Sequence, residues 1–517
     1  MENQILSSLG QEPSLPLTNY TPYLLHPYIS LLMQSKTFEL RKTQIKQLLR
    51  VFLFFSTYSG PHDKALLKLC DNYPRNFRWL KYLTIGVSSF TKLTSDQIIR
   101  ASSKCLRLIK SLKHLKLMAY TLNQASFLAS FLKNLKQVQH LTLDYCYCKF
   151  SEKPPVYKFF CSLKSLRSLR DLKVIFTGTP GIPSQVVKEL CAGTSHLKTL
   201  ETISFDFNES SLDLSAGDKT AFLFNFKRFN SLSALTLKFS NAQGMNDQIL
   251  ENIARSLQQI PRLEKFELIL TYCREITNKG IKTLSSCLPS GLKSFRIDVE
   301  NCFNVNREGI ERLFSSIAKM NSLNCLSLSS SFENRINNEG MIELARCLEN
   351  LNSLSSLRLT FYSCNVNFTQ ASLIQFLTFL GSKKSLRNLT LRFPSCSKII
   401  TDDLMGVFGD LLVGLKELEN FGLNFNSCSE LTDKGIEELA MKIGTLEKVQ
   451  RLNLEFGRCN GVVGGSVEKL IKSLKNLKKL RSAIVELRGS KNLNKEEVKK
   501  ALESQNSLKF KLTVHYK

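Results

Sequence analysis

Hydrophobic residues recur in a fixed pattern along most of the chain. In LEKFELILTYC from Leu263, LRNLTLRFPSC from Leu386 and LENFGLNFNSC from Leu418, positions 1, 4, 6 and 8 are apolar and position 11 is cysteine. Positions 4, 6 and 8 alternate mostly with polar residues, which is the period of a half-buried strand. The pattern therefore predicts one short strand in each copy.

Copies of this pattern follow one another at a nearly constant interval, mostly 31 or 32 residues. They begin at Leu80, Leu112, Val138, Leu169, Leu200, Leu232, Leu263, Leu292, Leu323, Leu354, Leu386, Leu418 and Val449. A degenerate copy near Leu477 and a last strand near Leu508 end the series. Such a period indicates a repeat architecture in which each unit buries its apolar face against its neighbours.

The residues after each strand predict a turn and then a helix. The turn often has a polar-then-glycine signature, as in ITNKG ending at Gly280 and LTDKG ending at Gly435. Apolar residues then recur at helical spacing, for example Ile436, Leu439 and Ile443. An Asp or Asn in the turn is expected to cap the helix by accepting a backbone N–H.

A unit of strand, turn, helix and return loop predicts one architecture. Each helix returns the chain to the same side, so equivalent strands lie parallel and the crossovers are right-handed. A helix is about 10 Å wide and strands lie about 4.8 Å apart, so the array curves with the sheet inside. The predicted fold class is α/β, a horseshoe solenoid with a parallel β-sheet on the concave face and helices on the convex face.

The LxxLxL core, the following cysteine and the I/L-T-D/N-x-G turn resemble the leucine-rich repeats of the ribonuclease-inhibitor-like, cysteine-containing class. The FxxC variant, as in FNSC ending at Cys428, resembles leucine-rich repeat families of ciliates. The resemblance covers roughly residues 80 to 517 and implies a leucine-rich repeat solenoid of about 14 repeats of about 31 residues. Ser330 and Glu333 replace the Phe and Cys of their copy, and Ala119 stands at position 8 of another, which predicts local irregularity.

Residues 1–79 lie outside the pattern. After a proline-containing start, the stretch from about Thr37 to Thr57 is predicted to be helical. We interpret residues 1–79 as an N-terminal helical capping region that covers the open end of a leucine-rich repeat domain at residues 80–517.

The start of the chain has no basic stretch leading into an apolar run, and LLRVFLFF from Leu48 is too short to cross a bilayer. We therefore expect a soluble, cytoplasmic protein. The 15 cysteines are then expected to be reduced thiols. Six of them form a ladder with one thiol per repeat, a geometry that favours buried packing over a zinc site: Cys273, Cys302, Cys364, Cys396, Cys428 and Cys459.

No motif in the sequence suggests catalysis. His114 and His140 occupy position 3 of adjacent repeats and are expected to be outward-facing neighbours without a third ligand. No Walker loop, dinucleotide-binding fingerprint, GxSxG elbow or HExxH is present, and GVVGG from Gly461 occupies an ordinary turn. We predict a non-enzymatic protein with no catalytic residues, no metal and no cofactor.

The concave face is the expected partner-binding surface, because positions 3, 5 and 7 of each strand point away from the core. Arg296, Arg358 and Arg392 lie on nearby predicted strands and suggest a basic track that grips carboxylates. The alternative is an ordinary solvated sheet face. The candidate contacts are Arg296, Arg358, Arg392, Lys265, Asn424 and Arg451.

The formal net charge is +27, and much of the excess recurs every third residue before strands, on one rim of the horseshoe. The residues concerned are Lys104, Arg107, Lys110, Lys113, Lys116, Lys164, Arg167, Arg170, Lys173, Lys469, Lys472, Lys475, Lys478 and Arg481. Such a rim suits an acidic protein, an anionic membrane or RNA, although no aromatic residues are interleaved to stack bases. The alternative is compositional bias, since Lys, Asn, Ile and Phe are abundant together.

The preferred hypothesis is an interaction scaffold that binds a protein with an acidic surface on the concave face. One alternative is the substrate-recognition subunit of a ubiquitin ligase, because repeats of this class often follow an F-box. The segment LPLTNYTPYLLHPYI in residues 1–79 lacks the usual continuation, and Arg78 and Trp79 are a faint echo of it. The other alternative is a GTPase-activating or regulatory protein.

Overall fold

The computed structural model describes residues 50–55, 81–87, 110–119, 132–133, 135–148, 160, 162–213, 222, 229–331, 336–364, 368–503 and 510–516. Within these residues, sixteen strands form one continuous parallel sheet, in the order of the chain. A two-residue pair, β6 (Ile182–Pro183) and β8 (Leu212–Asp213), lies outside it.

The strands of the large sheet are short and nearly equal in length, as expected for one strand per repeat. They are β1 (Arg50–Phe55), β2 (Tyr82–Val87), β3 (His114–Ala119), β4 (His140–Asp144), β5 (Asp171–Ile175), β7 (Thr202–Asp206), β9 (Ala234–Lys238), β10 (Lys265–Ile269), β11 (Ser294–Asp298), β12 (Cys325–Ser331), β13 (Ser356–Tyr362), β14 (Asn388–Arg392), β15 (Asn420–Asn424), β16 (Arg451–Glu455), β17 (Ser482–Glu486) and β18 (Lys511–His515).

The helices of the described residues follow the strands, and from Asp247 onward successive helices pack against one another in chain order. They are α1 (Ser184–Thr194), α2 (Asp247–Leu257), α3 (Asn278–Cys287), α4 (Arg307–Ile317), α5 (Asn338–Glu349), α6 (Gln370–Gly381), α7 (Asp402–Gly414), α8 (Asp433–Ile443), α9 (Ser466–Lys475) and α10 (Lys495–Glu503). A 3₁₀ turn at Leu163–Ser165 precedes β5.

The predicted repeat is confirmed strand by strand. Each of the thirteen large-sheet strands from β2 to β16 begins two residues after the start of its predicted copy, as Asn420 does after Leu418. Neighbouring strands pair in parallel without a shift in register, so position 4 of one copy pairs with position 4 of the next, as Phe421 does with Leu452. The degenerate copy near Leu477 begins slightly later, since β17 starts at Ser482.

The N-terminal boundary needs correction. Residues Arg50–Phe55 form β1 and pair in parallel with β2, so the helix predicted from Thr37 to Thr57 is wrong for this segment. LLRVFLFF from Leu48 carries the apolar 1, 4, 6, 8 spacing and begins 32 residues before Leu80, so it is a further copy of the repeat. The other residues of the predicted capping region lie outside the described residues.

Aromatic side chains at position 8 of consecutive repeats stack along the core. Tyr145 and Phe176 have ring centroids 5.4 Å apart, Phe176 and Phe207 lie 5.1 Å apart, and Phe207 and Phe239 lie 5.4 Å apart. The same column ends at Phe456 after a gap in which Leu, Val and Ser replace the aromatic residues. Stacked aromatic rings contribute stabilisation beyond that of the apolar area they bury, so the column stabilises the packing of successive repeats.

The predicted irregularity at Ser330 is confirmed. Its side chain is buried where the next repeat places the ring of Phe361, and its hydroxyl has no hydrogen-bond partner among the described residues. Its strand, β12, extends to Ser331, and Glu333 lies outside the described residues, as does the side chain of Ala119.

Close contacts between repeats explain the polar-then-glycine signature. Asp402 at the start of α7 accepts hydrogen bonds from the backbone N–H of Thr432 at 2.8 Å and from its hydroxyl at 2.6 Å. A Cβ added to Gly435 would lie 2.4 Å from Oδ1 of Asp402, so a side chain is excluded there. Predicted capping is confirmed at Asn306, which accepts the N–H of Glu308 at 3.0 Å. In the ITNKG and LTDKG turns the caps are threonines.

Candidate functional site

The cysteine ladder is structural, as predicted. All six ladder thiols are buried. The thiols of Cys273 and Cys459 donate to the backbone carbonyls of Phe239 at 3.0 Å and Phe425 at 3.1 Å in the preceding repeat. Thr179 takes the same place in its repeat and donates to the carbonyl of Tyr145 at 2.7 Å. Among the described residues, no group of three or more His, Cys, Asp or Glu side chains is arranged to hold a metal ion.

We expect the buried thiols to resist alkylation in the native protein at pH 8. Burial raises the pKa of Cys459 to about 11 and the pKa of Cys148 to about 12, and the thiolate is the reactive form. Mass spectrometry after iodoacetamide treatment should find both unmodified until the protein is unfolded. The half-buried Cys287 and Cys325 serve as internal controls. Rapid native labelling of Cys459 would contradict this packing.

The two histidines of adjacent strands are neighbours, as predicted. The rings of Tyr82, His114 and His140 stack in a row, with centroids 4.1 Å and 4.0 Å apart. Nδ1 of His140 contacts a carboxylate oxygen of Asp171 on the next strand. Parallel stacked imidazoles direct their nitrogens sideways rather than toward a common point, so this row does not have the geometry of a metal site.

The register of the sheet brings the three arginines of the predicted track close together. Arg296 on β11 and Arg358 on β13 occupy position 5, separated by Ser327 on β12. Arg392 occupies position 7 of the next strand, β14, and pairs in register with Thr360. All three side chains are on the face of the sheet opposite the buried Leu and Phe residues, and Arg296 and Arg358 are exposed.

Carboxylates compensate the two outer arginines. Nη1 of Arg296 lies 3.4 Å from Oε1 of Glu267, and Nη2 of Arg392 lies 3.5 Å from Oε2 of Glu455. Within the described part of the chain, no carboxylate forms an ion pair with Arg358. Desolvation lowers the pKa of Arg358, and the positive charges of Arg296 and Arg392 lower it further. The charge of Glu455 opposes this lowering, and Arg358 is the one arginine of the track that has no ion pair among the described residues.

Two acidic side chains lie beside the track, which the sequence analysis did not anticipate. Burial raises the pKa of Asp298, and burial together with the charge of Asp298 raises the pKa of Glu300. The attraction of Arg296 for Asp298 and of Arg392 for Glu300 opposes these shifts. The surface is therefore mixed in charge, with two partly desolvated carboxylates among the arginines, rather than a uniformly basic track.

The other three candidate contacts differ in accessibility. Lys265 on β10 and Arg451 on β16 are exposed at position 3. Asn424 was expected to face a partner, but its side chain is buried and its amide donates to the carboxylate of Glu455. Glu455 also accepts a hydrogen bond from Nδ2 of Asn453 at 2.8 Å. Asn424 therefore belongs to a hydrogen-bond network within the sheet face and is not accessible to a partner.

The basic rim is less uniform than the sequence suggests. Lys469 and Lys472 lie inside α9 rather than in a return loop, and their ammonium groups pair with Glu437 at 2.6 Å and Glu468 at 2.8 Å. Lys104 and Arg107 lie outside the described residues. The return loops before β4, β5 and β7, in contrast, keep their basic side chains exposed.

These features define the class of protein. In the part of the chain that the structure describes, sixteen parallel strands follow chain order, with helices on the opposite side. A strand-turn-helix unit repeated about every 31 residues is a leucine-rich repeat solenoid. Among the described residues, no helix combines the length and the hydropathy needed to cross a bilayer.

Comparisons with known proteins add little beyond the fold. No protein-family model matches the chain, and no curated protein matches it. The chain is similar to a solved structure described as the crystal structure of the Rad7 and Elc1 complex in yeast, with a TM-score of 0.43 and 15% sequence identity. The match covers 88% of this chain and 93% of that chain. A likeness this remote carries no functional inference.

Proposed function

We propose that the protein is a non-catalytic interaction scaffold that binds a protein partner on the concave face, centred on Arg358. The observation that carries this proposal is that Arg358 is exposed on the sheet face, that desolvation and two neighbouring arginines lower its pKa, and that it forms no ion pair among the described residues. A desolvated charge is costly until it is paired, and planar arginine donors match a carboxylate in two parallel hydrogen bonds. A partner carboxylate placed over Arg358 would supply that missing pair.

The neighbouring acids restrict which partner fits. Burial disfavours the charged forms of Asp298 and Glu300, and a cationic group of the partner placed over them would favour those charged forms. The complementary surface therefore presents a carboxylate opposite Arg358 and a cation opposite the acidic pair. Such alternation of charge selects one orientation of the partner and penalises a uniformly acidic surface through repulsion.

Simultaneous substitution of Arg296, Arg358 and Arg392 by alanine should abolish partner binding, and Arg358→Ala alone should weaken it by about tenfold, as expected for loss of a charged hydrogen-bonded pair. A matched triple variant on the convex helices is Arg255→Ala, Arg312→Ala and Arg346→Ala, at three exposed arginines. Quantitative affinity capture would identify the partner, and calorimetry would measure each variant. A partner that binds the concave triple variant with unchanged affinity would exclude this site.

The two alternative functions remain proposals with their own tests. A substrate-recognition subunit of a ubiquitin ligase would bind a ligase adaptor through residues 1–79, of which the structure describes β1 alone. Failure of the full chain to bind such an adaptor would exclude that role. A GTPase-activating protein would accelerate GTP turnover by small GTPases, and no described residue specifically favours this activity.

A further inference from the structure

Exposed basic side chains recur at the same place in four consecutive return loops, before β3, β4, β5 and β7. Lys110, Lys136, Arg167 and Lys198 each stand two residues before the start of their repeat, and Lys133 and Lys164 stand five residues before theirs. We call these six residues the loop strip. In the next five repeats the equivalent of Arg167 is uncharged: Asn230, Pro261, Ser290, Asn321 and Asn352. Exposed lysines return at the equivalent positions further along the chain, at Lys384 and Lys416, so the loop strip is one of two separated groups of basic return loops.

The charges of the loop strip are not neutralised by neighbouring repeats. Within the described part of the chain, none of its six residues forms an ion pair. The basic residues at position 2 of the copies differ, because Arg170, Lys293 and Arg387 pair with Glu201, Glu264 and Glu419 at 3.1, 2.6 and 2.9 Å. Uncompensated charges at regular intervals attract an anionic partner and steer its approach.

The dimensions of the strip favour a narrow partner. Equivalent positions on neighbouring repeats are about 4.8 Å apart, so the four loops span about 15 Å. Acidic side chains border the strip on the concave face, with Asp171 at the start of β5 and Asp144 and Asp206 further along their strands. Asp144 is paired with Lys116 at 2.8 Å, and Asp171 contacts His140, so charges on this face are partly balanced. The unpaired cations of the strip lie in consecutive return loops, which a single extended chain can follow along its length.

Two narrow polyanions could follow the strip, single-stranded nucleic acid and an acidic polypeptide, and the composition of the loops favours the second. Proteins that bind single-stranded nucleic acid stack its bases on aromatic side chains. The described residues of the return loops before β4, β5 and β7 contain no Phe, Tyr or Trp. Lysine predominates, and its flexible point charge adapts to carboxylates that lack a fixed geometry. We propose that the loop strip binds an acidic polypeptide segment in extended conformation.

The test measures fluorescence anisotropy of a labelled oligoglutamate of about eight residues, which spans about 26 Å when extended. The strip variant carries Lys133→Gln, Lys136→Gln, Lys164→Gln and Arg167→Gln. The control variant removes equal charge at exposed positions outside the rim, with Lys279→Gln, Arg312→Gln, Lys434→Gln and Lys500→Gln. We expect the dissociation constant of the strip variant to rise by about tenfold or more, with little change in the control. Thermal unfolding of all variants verifies their fold.

Three further outcomes decide the proposal. Equal loss of affinity in the strip variant and the control variant would mean that net charge alone drives binding, and this result would overturn the proposal. Binding of a single-stranded oligonucleotide or of phosphatidylserine vesicles as tightly as the peptide, and lost in the strip variant, would overturn the choice of a polypeptide. The variant lacking Arg296, Arg358 and Arg392 should bind the peptide normally, because this surface is separate from the concave site; the two proposals therefore fail independently.

Discussion

Replacement of Phe425 by alanine should destabilise the protein by about 3–5 kcal/mol, the cost of removing a large buried aromatic ring. The ring is fully buried at position 8 of the repeat that contains β15, with its centroid 5.1 Å from that of Phe408 on α7 and 6.2 Å from that of Phe456 in the next repeat. Because each repeat is stabilised by its neighbours, the cavity should weaken the interfaces on both sides. Urea denaturation followed by circular dichroism measures the loss.

The matched control is the same substitution at an exposed ring, Phe303→Ala, since Phe303 is 60% exposed. It should change the free energy of unfolding by less than about 0.5 kcal/mol. Hydrogen exchange should show that the Phe425 variant loses protection first in β14, β15 and β16. Equal effects of the two substitutions, or uniform loss of protection over the whole chain, would contradict the stacked core.

Replacement of Asp433 by alanine should cost about 2–4 kcal/mol, because several polar groups lose their acceptor at once. Its carboxylate accepts the backbone N–H groups of Val463, Gly464 and Gly465, each at 3.2 Å, and the hydroxyl of Ser466 at 2.6 Å. It therefore joins the start of α8 to the turn that begins α9. Thermal and urea unfolding of the variant measure the effect.

Asp410→Ala is the control for Asp433→Ala. Asp410 is exposed, and its carboxylate is paired with Lys442 at 2.7 Å on the helix surface, a contact worth less than about 1 kcal/mol. Asp433→Asn should have an intermediate effect, because one amide oxygen remains to accept hydrogen bonds. If Asp433→Ala is no more destabilising than Asp410→Ala, the carboxylate does not join the two repeats.

The fold was predictable because its determinants are local and repeated. The alternation around Leu418 locates β15 to the residue, and thirteen copies of the same pattern reinforce one another. The missed strand β1 carries the same spacing from Leu48. A single copy separated from the series by a proline-containing segment instead predicts a helix, since short apolar runs are ambiguous between helix and strand.

The candidate site was predictable in position but not in charge. Alternation along each strand indicates that Arg296, Arg358 and Arg392 face the same side. It does not indicate that Arg392 reaches across β15 to Glu455, which is 63 residues away in sequence, or that Asn424 is buried in the same network. The rotamer of a long side chain and its desolvation decide which residue it contacts two strands away. The hydrophobic periodicity of the sequence predicts neither the rotamer nor the desolvation.

The most direct test of the stacked-repeat account is a set of distances between spin labels at position 3. One label replaces Ser294, and the second replaces Ser356, Asn420 or Ser482, all half-buried on strands β13, β15 and β17. With strands about 4.8 Å apart, the account predicts backbone separations of about 10, 19 and 29 Å in that order. Separations that do not increase in this order would contradict a single parallel sheet and, with it, the shared face on which the proposed site depends.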